Sequence, residues 1–328
     1  MDKPTVQDIF HRFYPAYLDQ YSPSPVQAKV AHNIMNCKTG AYGANVCVCE
    51  DCGFVQIHYN SCRNRCCPMC QAVPKEMWMD ARREDVLDAP YFHLVFTVPD
   101  ILNPVIYSNQ RLLYDALYHA ASSTISELTA DPKHLGAKVG YICILHTWGS
   151  EMNFHPHIHT ILLGGGLASN NQWRDNGENF FLPIRVISKM FRGKYLEELK
   201  RLWEEDKLVF QGTAEKFRNH YTFKELLDSC YGMDWIPHCK KTFNGAQTVI
   251  KYLGKYTHRI AVSNHRIVRM NDDTVTFLVK DYRNEGQWKE LTISGVEFVR
   301  RFLMHVPPRR FVRIRHYGLL CSRTKSQK

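Results

Sequence analysis

The run Phe154-His155-Pro156-His157-Ile158-His159-Thr160-Ile161-Leu162-Leu163 constrains the fold more tightly than any other stretch, because its pattern suits an extended strand. Side chains on a strand alternate between faces with period two. His155, His157 and His159 therefore share one face, while Ile158, Thr160 and Leu162 share the other. Neutral imidazoles held rigid by a sheet are ligands for a divalent ion and leave positions for water or a substrate phosphate. A lone histidine more often hydrogen-bonds locally; a triple alternation points to metal.

A second stretch, Gly245 to Arg259, completes that idea. Helical spacing puts Tyr252 and Tyr256 at i and i+4, on one face and one turn apart, with Lys251, Lys255 and Arg259 flanking them. Tyrosine can serve as a covalent nucleophile, and a metal makes a phosphodiester vulnerable to it. A tyrosine pair in a chain with 17 tyrosines is by itself ordinary core packing. Beside the histidine strand, the catalytic reading gains weight.

The chain holds 12 cysteines, and most of them fall between Cys37 and Cys70. Cys49-Glu50-Asp51-Cys52 and Cys67-Pro68-Met69-Cys70 are two Cys-x-x-Cys knuckles separated by fourteen residues, close to the zinc-ribbon pattern. Four thiolates can close a tetrahedron around zinc, and such a site is structural because no position is left for chemistry. Arg63, Arg65 and Lys75 around the knuckles suit phosphate contacts as well as they suit a solvated surface.

The formal charge of +10, from 42 Lys and Arg against 32 Asp and Glu, fits a polyanionic partner. Charge alone does not choose between DNA, RNA and an anionic membrane. No run of about 18 apolar residues is present, and Met1-Asp2-Lys3-Pro4-Thr5 is no signal peptide. The expectation is a cytoplasmic, non-secreted protein whose cysteines stay reduced.

Taken in order, residues 5–36 read as two helices parted at Ser22-Pro23-Ser24-Pro25. After the cysteine block, a helix is predicted over 75–87, a strand over 91–98 and an amphipathic helix over 109–129. Residues 139–148 read as a strand that pairs with the histidine strand as an antiparallel hairpin. Gly164-Gly165-Gly166 reads as a turn and 169–182 as an irregular excursion, followed by helices over 188–208 and 213–230 and an edge strand at 234–238. Beyond that come strands at 266–269, 274–279 and 290–293, a helix over 294–305, and Arg309 to Tyr317. In this last stretch Arg313 and Arg315 would form a phosphate track with Tyr317 able to stack on a base.

With these residues in view, the chain resembles the rolling-circle transposases of the insertion-sequence ninety-one family. His157-Ile158-His159 matches the His-hydrophobic-His motif of HUH single-strand endonucleases, and Tyr252/Tyr256 matches the tyrosine pair of their two-tyrosine branch. The likeness extends over the Cys37–Cys70 block, Leu145 to Gly149, His155 to His159, Gly164 to Leu167 and Phe311 to Gly318. It implies an α+β fold: an HUH core with a central antiparallel sheet flanked by helices, an N-terminal helical and zinc-ribbon module, and a small β-rich C-terminal extension. The corresponding domains are 1–88, 89–262 and 263–328.

The resemblance also implies a third ligand beside His157 and His159. His146 is preferred, with Glu151 and His155 as alternatives. Cys37, Cys62 and His32 align with positions common in the family and form a candidate second zinc set, with Cys47, Cys66 or His58 as further members. The implied activity is cleavage and rejoining of single-stranded DNA through a 5′-phosphotyrosine link at Tyr252 or Tyr256, in a nucleoid-associated enzyme with no membrane partner. Magnesium or manganese would serve catalysis and zinc would serve structure, while Lys255 and Arg259 would contact DNA and ease loss of the tyrosine proton. A replication initiator or relaxase would use the same chemistry on other DNA; a non-catalytic zinc-ribbon DNA-binding protein would not need the histidines at all.

Overall fold

The computed structural model describes residues 3–83, 86–87, 89–175, 182–235, 237–243, 254, 260–281 and 284–321, with only the backbone for 240–243. In chain order the elements are α1 (Val6–Leu18), α2 (Pro25–Met35), β1 (Ala44–Val48), β2 (Val55–Tyr59), α3 (Ala72–Arg83), β3 (Tyr91–Thr97), α4 (Asn103–Ser108), α5 (Gln110–Ala130), β4 (Lys138–Trp148) and β5 (Phe154–Leu167). They continue with β6 (Trp173–Asp175), α6 (Ile184–Glu204), α7 (His220–Gly232), β7 (His238–Phe243), β8 (Ile267–Met270), β9 (Thr274–Asp281), β10 (Gln287–Ser294), α8 (Gly295–Met304) and β11 (Ile314–Gly318). No helix among the described residues is long and apolar enough to cross a membrane.

The chain forms two compact units. The first gathers Met1–Met77, Trp148–Phe154 and His258–Arg309; the second gathers Trp78–Thr147, His155–Thr257 and Arg310–Lys328. The stretch 263–328, expected as one C-terminal extension, is thus shared between them.

In the first unit, local signals start both leading helices. Thr5 caps α1 in a capping box with Asp8, and Ser24 does the same for α2 with Gln27, with Pro25 at the first turn. Val6, Ile9, Phe10, Phe13, Tyr14 and Tyr17 recur at threes and fours and are buried. They pack with α2 and α8 over the sheet β10-β9-β8. Phe10 meets Phe302 edge-on at 5.2 Å, and Phe277 meets Phe298 at 5.6 Å. Gly295 opens α8 beneath the Phe13 ring, where an added Cβ would lie 2.3 Å from ring carbons. The hairpin β1–β2 stands apart, with every residue of both strands exposed.

The tight turn between β4 and β5 also belongs to this unit, and it is held by its carbonyls. Arg266, itself buried, donates to the carbonyls of Ser150 at 2.6 Å, Leu278 at 2.8 Å and Ala261 at 3.3 Å. Arg301 donates to Glu151 O at 2.9 Å, and His305 Nε2 donates to Met152 O at 3.0 Å.

In the second unit, the large sheet runs β11-β4-β5-β3-β7, with β6 paired to the end of β5. One face carries Phe92, Leu94 and Phe96 and packs on helices, with Phe96 against Phe191 of α6 at 4.9 Å. Tyr141 reaches α5, where its hydroxyl donates to Ser122 O at 2.9 Å. The other face bears a small apolar cluster of Tyr91, Ile142, Ile144, Ile161 and Leu163, capped by Leu319 and Leu320. The edge strand lies later than expected, at His238–Phe243 rather than 234–238, and pairs with β3. The excursion after the triple glycine includes the short strand β6, which pairs with Gly165–Leu167.

Burial lowers the His305 imidazole to about 4, with Arg300 and Arg301 nearby opposing its charge despite the Met152 carbonyl. Between that value and the unfolded value near 6.5, the unfolded chain binds the extra proton, so stability falls as pH drops. Wild-type protein is expected to lose about 2 kcal/mol more than His305→Gln between pH 7 and pH 5. Urea unfolding of the first unit at both pH values checks this; equal losses would show that the imidazole is not held neutral.

Candidate active site and metal centres

The antiparallel register of the large sheet brings histidines from three strands, His93, His146, His157 and His159 among them, onto one face. β3 pairs with β5 so that Thr97 sits opposite His157, Val95 opposite His159 and His93 opposite Ile161. Period two then puts His93 on the same face as His157 and His159. β4, on the other side of β5, contributes His146. A ligand nitrogen from each of His146, His157 and His159 lies within 4.8 Å of the others, and His146 and His157 are buried.

Hydrogen bonds orient these rings. The His155 carbonyl can only accept, so His157 Nδ1–H donates to it at 2.7 Å and the lone pair sits on Nε2. That Nε2 faces His159 Nε2 at 3.1 Å. On its far side His159 Nδ1 meets His93 Nε2 at 2.9 Å, the rings stacked at 5.1 Å. With His159 donating to His93, both Nε2 atoms turn lone pairs towards one point, and His146 closes the set from β4. Three neutral imidazoles converging this way fit a divalent ion with open positions.

Of the other candidates for the third ligand, His155 turns to Asp100 at 3.3 Å and stands outside the trio. Glu151 lies in the β4–β5 turn with its carbonyl bound by Arg301, also outside the trio. His93 was not singled out from sequence. The signal available was a lone imidazole in the otherwise apolar run Tyr91 to Phe96.

A second cluster lies in the first unit. Cys37, Cys62, Cys67 and Cys70 bring their sulfurs within 4.8 Å of one another. Cys37 and Cys70 Sγ are 3.5 Å apart, and Cys62 and Cys70 Sγ 3.6 Å. Sulfurs around zinc, each about 2.3 Å from it, sit about 3.8 Å apart in a tetrahedron. Burial pushes the Cys62 thiol up to about 12 and raises Cys67 further. Burial works against Cys70 too, yet hydrogen bonds with Cys37, Cys62 and Ser61 carry it below the ordinary thiol value.

This grouping differs from the one expected from spacing. Cys49 and Cys52 lie at the exposed end of the β1–β2 hairpin, outside the tetrad that Cys67 and Cys70 join. The reason is geometric: the chain turns after α2 and returns through Asn60 N–H to Gly43 O and Lys38 N–H to Asn60 O, which carries Cys62 back to Cys37. His32 is exposed and paired with Asn36, while Cys47 and His58 sit on the exposed hairpin. Cys66 is buried in the core beside the tetrad but is not one of its four. Arg65 donates to Pro308 O at 3.1 Å, Lys75 lies 3.8 Å from Glu76, and Arg63 is exposed.

The remaining candidates divide. Tyr252, Tyr256, Lys255 and Arg259 lie outside the described residues. Arg313, Arg315 and Tyr317 sit in or beside β11, which pairs antiparallel with β4. Arg315 lies over the Tyr118 ring, 3.9 Å from its centroid, and pairs with Asp115. Tyr317 stacks on Tyr141 at 5.0 Å, and burial lifts its hydroxyl to about 12. Both side chains are engaged in packing, and the Arg313 carbonyl accepts from Leu145 N–H at 2.9 Å.

Comparison with known proteins bears on what this arrangement belongs to. Residues 9–98 match a family described as "Transposase zinc-binding domain", of the IS91 type, and residues 140–328 match one described as "Putative transposase". The "Putative transposase y4qJ" of Sinorhizobium fredii (strain NBRC 101917 / NGR234) is 41% identical over 99% of this chain and 82% of its own length. The "Transposase for insertion sequence element IS801" of Pseudomonas savastanoi pv. phaseolicola is 29% identical over 92% of this chain and 72% of its own. Among solved structures, two of the conjugative relaxase TrwC with oriT DNA give TM-scores of 0.27 and 0.29 at 18% and 15% identity. They cover 34% and 53% of this chain, which in turn spans 44% and 65% of those chains, a likeness too slight to carry an inference. On the strength of the sequence matches, the chain belongs to the IS91-type transposases, with the transposase zinc-binding domain ahead of the transposase domain.

Proposed function

We propose that this chain cleaves and rejoins single-stranded DNA through a 5′-phosphotyrosine intermediate during rolling-circle transposition. The observation that carries the reading is the convergence of His146, His157 and His159 on one sheet face, in a chain of a transposase family. In this reading the three imidazoles hold magnesium or manganese, which when bound neutralises charge developing on the scissile phosphate. His93 and the His155 carbonyl hold the rings of His159 and His157 in the ligating tautomer.

The nucleophile is Tyr252 or Tyr256. Its phenolic oxygen attacks phosphorus, the P–O bond to the 3′ oxygen breaks, and the 3′ hydroxyl leaves. Tyrosine has an ordinary value near 10, so Lys255 or Arg259 would favour the phenolate. The link conserves the bond energy, so a free 3′ hydroxyl can reverse the step on another strand without ATP. Two tyrosines let one end stay attached while a second is cut.

Tyr252→Phe combined with Tyr256→Phe is expected to abolish a protease-sensitive, slow-migrating band on labelled single-stranded element ends in magnesium or manganese. Adducts from that double variant would remove the tyrosines from the reaction. His157→Ala with His159→Ala is expected to lower adduct formation at least about a hundredfold, in line with loss of charge stabilisation at the phosphate. Unchanged yield would remove His157 and His159, and a metal held by them, from the reaction.

We also assign structural zinc to Cys37, Cys62, Cys67 and Cys70, a four-thiol set at the edge of the first unit's core, with Cys62 half-buried, that leaves no open position. Metal analysis of purified protein is expected to show loss of one zinc and a large drop in melting temperature for Cys62→Ser. Cys49→Ser is expected to retain that zinc. The reverse pattern would restore the ribbon pairing of the two Cys-x-x-Cys knuckles.

A further inference from the structure

At the far end of β5 from the histidines, the second unit opens a cleft of about 1340 Å³ lined in part by Lys138, Leu167, Ser169, Asn171, Trp173 and Arg174. His159 and Gly166 are seven residues apart on one strand, about 23 Å at the usual rise. The cleft is therefore distinct from the imidazole set while sharing its strand.

Two glycines shape this cleft. Trp173 lies close against Gly165: a Cβ there would come within 2.5 Å of an indole carbon. The indole N–H donates to Asp175 at 2.9 Å, which fixes the ring's rotation, and 41% of the residue stays open to solvent. Arg174 uses the other glycine. Gly136, at φ +63°, lies so near that an added Cβ would be 2.7 Å from the guanidinium, which donates to the Gly136 carbonyl at 3.4 Å. The exposed Lys138 adds a second cation at the rim.

A large aromatic ring held in place yet partly open to solvent, flanked by cations, is the pairing that single-stranded nucleic acids require. Bases stack on the ring, and the backbone tracks the charges. Because the indole is already fixed, little side-chain freedom is lost on binding. We infer that this cleft binds a single-stranded segment of the DNA substrate, with a base stacked on Trp173 and phosphates against Lys138 and Arg174. This rests on the functional reading above for the identity of the nucleic acid.

Anisotropy of a fluorescein-labelled single-stranded oligonucleotide, with the full chain and no added magnesium or manganese, tests it. Trp173→Ala is expected to weaken binding about 5- to 100-fold, Trp173→Phe to recover most of the loss, and duplex affinity to change by less than about twofold. Wild-type affinity in a folded Trp173→Ala protein, or equal losses for single strand and duplex, would overturn the assignment. Should Trp173→Ala fail to fold, Lys138→Glu on the exposed rim is expected to weaken the same oligonucleotide and flatten its salt dependence by about one unit of slope; no change would again overturn it. A wild type that binds through Trp173 yet never forms an adduct would sink the phosphotyrosine mechanism and leave this cleft standing. Adducts together with indifference to Trp173 would do the opposite.

Discussion

The antiparallel register between β3 and β5 is the constraint on which the histidine site depends. It sets His93 two residues along from Val95, opposite Ile161, and so places its ring against the imidazole of His159. A one-residue slip would flip β3 and send His93 into the helix-packed face. Phe92, Leu94 and Phe96, each almost wholly buried, make such a slip costly, since all of them would move to the opposite side. Apolar packing on one side of the sheet thereby fixes the polar geometry on the other.

Much of this was legible because it is local. Alternation over residues 154–163 gave the strand and its histidine face, and the apolar recurrence from Thr5 with the break at Ser22-Pro23-Ser24-Pro25 gave two helices that the structure starts at Val6 and Pro25. Features set by tertiary closure were not legible. Spacing suggested that Cys49, Cys52, Cys67 and Cys70 belong together, but the pairing of residues 38 and 60 delivers Cys37 and Cys62 instead. Likewise, the alternation of Arg313, Arg315 and Tyr317 looked like a surface track. Nothing local announced that β11 would pair with β4 and lay Arg315 over Tyr118.

The triple glycine shows how a compositional signal can be read correctly as special yet assigned to the wrong cause. Gly164, Gly165 and Gly166 are strand residues, each crowded by a different neighbour: Phe92 and Pro90, then Trp173, then the Lys138 backbone. They are needed for close approach, not for turning. His93 is the complementary case, where one polar residue in an apolar strand was the only trace of a partner supplied by the neighbouring strand.

Both units are discontinuous in the chain, and the consequence falls on biosynthesis. The helices α1 and α2 emerge from the ribosome well before the surface they bury against, Phe298, Phe302 and Leu303 of α8, which is translated about 260 to 290 residues later. At about 5–20 residues per second this leaves Phe10 and Phe13 without their native neighbours for tens of seconds. Contacts so distant in the chain slow closure of this core, and until α8 arrives Phe10, Phe13, Val30 and Ile34 lack the Phe298, Phe302 and Leu303 side chains that complete it.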